Sequence, residues 1–255
     1  MKLLIKIGGT LIDTSERRLA TAGKVAAITG LHQTVVVHGG GKQLSHYLKE
    51  HGIESEFRGG LRVTPPHILD AVIRTLAGVV NHRLVAALQE RGVKAVGLSG
   101  IDAGIAQARQ LSPALGAVGE VETADPALLE LLSSQGYLPT VACIAGGLHG
   151  AIFNVNADQM AVAVAGAFKA EQLIFLTDVE GVLDGEKRRI IRLSSQEALT
   201  LIETGVAHGG MEAKLRSAMA GIAQGVSQVR IVPGAEPDVL QRLLEGQELG
   251  TTLTA

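Results

Sequence analysis

Short aliphatic runs recur along this chain, each stopping at glycine or a polar residue and feeding an amphipathic stretch. Residues 2–7 alternate poorly but are aliphatic apart from lysine and end at Gly8 and Gly9, the pattern of a strand buried on both faces. Residues 15–29 then place Ala22, Val25, Ala26 and Thr29 on one helical face, with Gly30 as the stop. The cycle repeats when a strand at 34–37 runs into His38, Gly39, Gly40 and Gly41. Leu44, Tyr47 and Leu48 mark the next helix, closed by Gly52.

Pro65 and Pro66 open a long helix reaching Arg91, with Leu69, Val72, Ile73, Leu76, Val79, Val80, Leu84 and Leu88 on an apolar face and Gly92 at its end. Further strands are expected at 94–98, 138–144, 172–177 and 228–232, with 250–253 as an edge strand and short strand-like pieces within 105–122. Further helices are expected at 126–135, 157–168, 194–204, 211–224 and 238–244. Strands alternating with helices predict the α/β class, an open, mainly parallel sheet covered by helices on both faces in three layers. No repeat or linker interrupts the pattern, so residues 1–255 are expected to form one domain. Its approximate lobes are 1–165 and 166–255, divided near Gly166.

Composition narrows the function classes. The net charge of −2, with both signs scattered, offers nucleic acid no basic tract, and four phenylalanines, two tyrosines and no tryptophan make a poor base-stacking platform. The single cysteine, Cys143, reads as a small buried hydrophobe. No apolar run reaches the roughly 18 residues that span a bilayer, and the first residues are too short a run for a secretory leader, so a soluble, cytoplasmic protein is expected. The 32 glycines exceed ordinary usage and direct attention to the loops.

Asn154-Val155-Asn156-Ala157-Asp158 is too polar for a core segment. Asn156 fits a helix N-cap, which puts Asp158 in the first turn, where the macrodipole favours a carboxylate. Read alone, this is a well-capped helix. The two glycine loops sit where open parallel sheets bind ligands, beyond strand ends and before helix N-termini. The second loop is neither a P-loop, since in Val36 to Gln43 the first glycine is missing and Gln43 replaces the hydroxyl residue, nor a dinucleotide fingerprint, since Leu44 occupies the last glycine position. Lys6 interrupts a buried strand beside a glycine loop and either meets an anion or snorkels outward. Lys214 reads from spacing as an exposed helix lysine. Arg62 sits in a loop before a helix, either exposed or gripping a carboxylate. His38, His149 and His208 have no metal-site spacing and read either as structural or as supports behind the groups that touch a ligand.

Taken together, Lys6-Ile7-Gly8-Gly9, Val37-His38-Gly39-Gly40-Gly41, Gly60-Leu61-Arg62-Val63-Thr64, Gly97-Leu98-Ser99-Gly100, Asn154 to Asp158, Leu176-Thr177-Asp178-Val179 with Gly181-Val182-Leu183, Gly210-Met211 with Lys214, and Gly250-Thr251 resemble the amino acid kinase family in order and spacing. The branch it is most similar to phosphorylates the side-chain carboxylate of N-acetyl-L-glutamate with ATP, giving N-acetyl-L-glutamyl 5-phosphate in arginine biosynthesis.

The resemblance implies that Lys6 and Lys214 stabilise the phosphoryl group in flight and that Asp158 holds both lysines. Gly9, Gly40 and Gly41 would bind phosphoryl oxygens and the reacting carboxylate, and Arg62 and Asn154 the α-carboxylate. Lys6, Gly8, Gly9, Thr177, Asp178, Val179, Gly181, Val182, Leu183, Gly210, Met211 and Lys214 would form the nucleotide site. Mg²⁺ would arrive on ATP, with no metal site in the protein. Ala103 departs from the family, which often has glycine after Asp102. An acceptor carboxylate, with a reference pKa of about 4.3, needs no general base, so the absence of a catalytic histidine fits.

Two rivals remain: a kinase of the same fold acting on an amino acid held by an acidic carrier protein, and a non-catalytic nucleotide sensor. The first should show a basic docking surface, yet between Gly100 and Glu120 there is only Arg109. The resemblance also implies a homodimer. Arginine-inhibited hexameric relatives carry an extra helix before the first strand, so an arginine-insensitive dimer is expected here.

Overall fold

The computed structural model describes residues 1–255. An eight-stranded sheet runs in the order Arg192–Ser194, Thr251–Thr254, Gln228–Pro233, Gln172–Thr177, Lys2–Ile7, Gln33–His38, Leu138–Ala142, Ala95–Ser99. Every pairing in it is parallel except that between Gln228–Pro233 and Thr251–Thr254. Leu3, Leu4, Ile5 and Ile7 are fully buried, as the unalternating run requires of a central strand covered on both sides. The edge belongs to Arg192–Ser194 rather than to the C-terminal strand, which lies one place inward. Three residues with a single buried leucine give too little pattern to be read as a strand.

Helices cover both faces. Ser15–Ala26 packs against the long helix Pro66–Glu90 on one side, and Ala157–Phe168 packs against Gly209–Ala223 on the other. A second, four-stranded sheet closes on itself from Ala106–Gln110, Val118–Ala124, Ile144–Gly146 and Ile152–Val155. Its last strand was not expected from the sequence, and it brings Asn154 into a sheet beside Val118. Val155 and Asp158 are both buried, so part of the polar stretch is core after all. The expected strand at 138–144 stops at Ala142, and Ile144 begins a separate strand that belongs to the second sheet.

Helix Pro66–Glu90 changes winding in its middle, with π-helical turns over Ile73–Val80. Such turns cluster at functional sites because they shift side-chain register within a continuous helix. This helix is 25 residues long and would pass for a membrane span by length and mean composition alone, but it holds no unbroken apolar run of that length and half of its most apolar window is buried in the protein. Near the sheet edge, Ala103 adopts φ 50°, a left-handed conformation that glycine takes without strain. Asp102, beside it, accepts from Ser99 N at 2.6 Å and Ser99 Oγ at 2.9 Å, which holds the turn despite the alanine.

His38 ends its strand fully buried, its Nδ1 2.9 Å from Gly39 O and its Nε2 2.9 Å from Asn81 Nδ2. Burial pushes its pKa down to about 4, from about 6.5 in an unfolded chain. Between those values the unfolded chain holds the proton and the folded one does not, so stability is full above the unfolded pKa and is lost as pH falls toward the folded one. Urea unfolding at pH 7 and at pH 5 is expected to show about 2 kcal/mol of loss from this group alone. His38→Asn should lack that part of the slope, and equal slopes in the two proteins would contradict the assignment.

Candidate active site

Three adjacent parallel strands end side by side. In sheet order these are Gln172–Thr177, Lys2–Ile7 and Gln33–His38, followed by Asp178, by Gly8 and Gly9, and by Gly39 to Gly41. The first glycine loop is stitched to both neighbours: Gly8 N donates to Leu176 O at 2.9 Å, and Gln43 Nε2 donates to Gly9 O at 3.0 Å. Gly40 is closely packed, because a Cβ there would overlap the buried Leu76 side chain, which would have to shift, and would sit 3.3 Å from Val80 Cγ2. Gly41 has open space around it and starts helix Gly41–Glu50, whose first-turn N–H groups lack intrahelical partners.

Lys6 projects from the central strand toward the N-terminus of helix Ala157–Phe168, where its Nζ lies 2.6 Å from Asp158 Oδ1. Both side chains are nearly enclosed, at 11% and 12% exposed. The contact is an ion pair off the hydrogen-bonding direction, and Oδ1 has no hydrogen-bond donor. The helix start is built as the sequence suggested: Asn156 Oδ1 accepts from Asp158 N at 2.9 Å and Gln159 N at 3.3 Å. Asp158 therefore sits on the positive end of a capped helix with a lysine opposite.

Lys214 is not held by Asp158, contrary to the expectation from resemblance. It stands in the second turn of Gly209–Ala223 with no carboxylate in ion-pair range, and the acid that feels its charge is Asp178. Burial alone would raise the Asp178 pKa, but hydrogen bonds from its own backbone and from the Thr177 and Thr10 hydroxyls, with attraction from Lys214, hold it below the ordinary carboxylate value. The two lysines thus approach from different elements, one fixed and one free of a carboxylate partner.

A cavity of about 410 Å³ opens beside the second glycine loop, lined by Gly39, Gly40, Gly41, Arg62, Asn154 and Asn156 among others. Arg62 is not in an exposed loop. It lies in a short hairpin of Phe57–Arg58 and Leu61–Arg62 and is 7% exposed. Its guanidinium stacks over Phe57 at 4.4 Å and donates to Ser55 Oγ at 2.5 Å and Ser45 Oγ at 2.6 Å. Burial lowers its pKa, and every partner it has is neutral. A buried cation without a counter-charge on a cavity wall has the capacity to pair with an anion that enters. Asn154 Nδ2 donates to Thr64 Oγ1 at 3.1 Å, joining the second sheet to the Arg62 segment. Ser45, Phe57, Val118 and Leu76 also line this cavity and were not singled out from the sequence. Ser45 could have been, since it follows Gly41 by one helical turn.

A second cavity, about 450 Å³, is lined by Asp178, Val179, Glu180, Gly181, Leu183, Val206, Ala207, His208 and Met211. Five of these were expected. Val182 points into the core instead, fully buried, with its N–H on Thr251 Oγ1 at 2.8 Å, and Thr177 is buried beneath Asp178. Gly210 is not on this wall. Val206 to His208 join it through a turn at Gly205, a placement that spacing does not reveal. Cys143 lies 4% exposed at the back of the first cavity, its thiol pushed up to about 11 by burial.

A cavity at the second glycine loop, another beside Asp178 and a buried lysine–carboxylate pair, all at the C-terminal ends of neighbouring parallel strands, suit a phosphotransferase. The chain belongs to the amino acid kinase family, whose model matches residues 1–233. It is 55% identical over 254 residues to acetylglutamate kinase of Solibacter usitatus, covering 99% of each chain. Among solved structures, N-acetylglutamate synthase from Neisseria gonorrhoeae, complexed with coenzyme A and N-acetyl-glutamate, superimposes with a TM-score of 0.88 at 27% identity. That match covers all of this chain and 59% of the other. Carbamate kinase from Giardia lamblia bound to AMP-PNP, at 15% identity and a TM-score of 0.74 over 99% of this chain and 98% of that one, shares the fold.

Proposed function

We propose that this enzyme transfers the γ-phosphoryl group of ATP to the side-chain carboxylate of N-acetyl-L-glutamate, giving N-acetyl-L-glutamyl 5-phosphate, a step of arginine biosynthesis. The observation that carries the reading is the 55% identity, end to end, with an acetylglutamate kinase. Buried Arg62, with only neutral partners, supports reading the first cavity as the site of the acid. Its fork would take the α-carboxylate with Asn154 beside it, leaving the side-chain carboxylate to reach Gly40 and Gly41. The second cavity would take the nucleotide, so that its terminal phosphate reaches the strand ends from the other side of Gly9. In this reading residues 1–165 carry the acid site and 166–255 the nucleotide site.

The acceptor is ionised at neutral pH, so catalysis reduces to alignment and to stabilising charge on the phosphoryl oxygens. Lys6, steadied by Asp158, and Lys214 supply that charge, and the glycine amides and the helix start at Gly41 add fixed donors. Mg²⁺ enters with ATP as part of the substrate. The carrier-protein alternative is disfavoured because Arg109 stands between Glu120 at 2.6 Å and Glu122 at 3.1 Å, so its surroundings are not a basic surface for an acidic partner.

The product of this reaction is an acyl phosphate. Hydroxylamine added with ATP, Mg²⁺ and N-acetyl-L-glutamate is expected to yield a hydroxamate in step with ADP. ADP release with no hydroxamate would refute a carboxyl acceptor.

We also propose a homodimer formed through helix Pro66–Glu90, which leaves Val79 47% exposed and Ile73 and Ala77 only partly covered. Light scattering should give twice the 26.5 kDa chain mass. A monomer, or Val79→Glu remaining dimeric, would count against this interface.

A further inference from the structure

His38 lies beside the reacting groups, yet the reaction as described makes no use of it. Its two hydrogen bonds decide its tautomer. Gly39 O can only accept, so Nδ1 carries the proton, and Nε2 is left to accept from Asn81 Nδ2. The Asn81 amide is fixed in turn, because the same nitrogen reaches Thr140 O at 2.8 Å, where an amide oxygen would be repelled. All three side chains are buried, so no water competes for these bonds.

The chain of bonds ends on the backbone of the second glycine loop. With Gly39 O held by the imidazole, the Gly39–Gly40 peptide plane cannot turn. In a trans peptide the N–H points opposite to the C=O, so the Gly40 N–H faces away from His38, and it has no acceptor in the protein. Gly40 lines the acid cavity and lies against the first glycine loop, its nitrogen 3.6 Å from where a Cβ on Gly9 would stand. A turned peptide would present a carbonyl oxygen to an anion in place of a donor.

We propose that His38 is a positioning residue for the phosphoryl transfer: it holds the Gly39–Gly40 peptide so that the Gly40 N–H faces the migrating group, and Asn81 keeps the imidazole in the one tautomer able to do so. The inference rests on the function proposed above. His38 itself touches neither substrate, and its role is to aim a donor whose bond matters most as charge develops on the phosphoryl oxygens.

The test is steady-state kinetics, with N-acetyl-L-glutamate and ATP varied in turn, for the wild type, His38→Asn, His38→Gln and His38→Leu, each checked for folding by circular dichroism. Asparagine places an N–H where Nδ1 stands, whereas glutamine reaches only toward Nε2. We expect His38→Leu and His38→Gln to lose about tenfold or more in kcat while both KM values stay within about threefold, and His38→Asn to keep kcat within about threefold. A folded His38→Leu with wild-type kcat would overturn the proposal, as would His38→Asn falling as far as His38→Gln. If His38→Leu does not fold, the comparison of asparagine with glutamine decides. A wild type that does not phosphorylate N-acetyl-L-glutamate would instead defeat the functional reading beneath it.

Discussion

The ion pair between Lys6 and Asp158 constrains everything around it. Taking either charge out of water costs several kcal/mol, and leaving one without the other costs about 3–5 kcal/mol, so the strand end and the helix start must arrive together. Parallel pairing on both sides of Lys2–Ile7 fixes where Lys6 emerges. Asn156 fixes where the helix carrying Asp158 begins. Replacing the pair with hydrophobic residues would spare that desolvation, and a buried pair at the strand end beside the glycine loops fits a charge held ready for the phosphoryl group.

Around that pair the fold provides donors in fixed positions. The glycines let strands and helices approach closely enough for backbone amides to reach a ligand, and the close packing at Gly40 comes from the π-wound part of the long helix. The same helix supplies Asn81 to the His38 bond and presents an apolar outer side. Loop geometry at the site and the proposed subunit interface therefore share one structural element.

Most of the main sheet was legible because its strands are aliphatic runs stopped by glycine or a polar residue, a signal that burial on both faces makes strong. Short elements escaped for the opposite reason. Arg192–Ser194 and Ile152–Val155 are held by long-range pairing and have too few residues to show a period. Lys6, Asp158 and the glycine loops could be named from motif and order, but spacing could not show that Asp158 pairs with Lys6 or that Arg62 is buried among hydroxyls. His38 and Asn81 are 43 positions apart and meet only because the long helix crosses the strand end. The nucleotide wall at Val206 to His208 likewise depends on how one turn folds back over Asp178.

If the buried pair exists to steady a catalytic charge, Asp158→Asn separates that role from a merely structural one. Its side chain keeps the same size and leaves the Asn156 cap in place, while Lys6 loses its counter-charge. Initial rates of ADP release at saturating ATP and N-acetyl-L-glutamate should fall about 10²-fold, with both KM values changing little. A folded Asp158→Asn enzyme with near wild-type kcat would contradict the account.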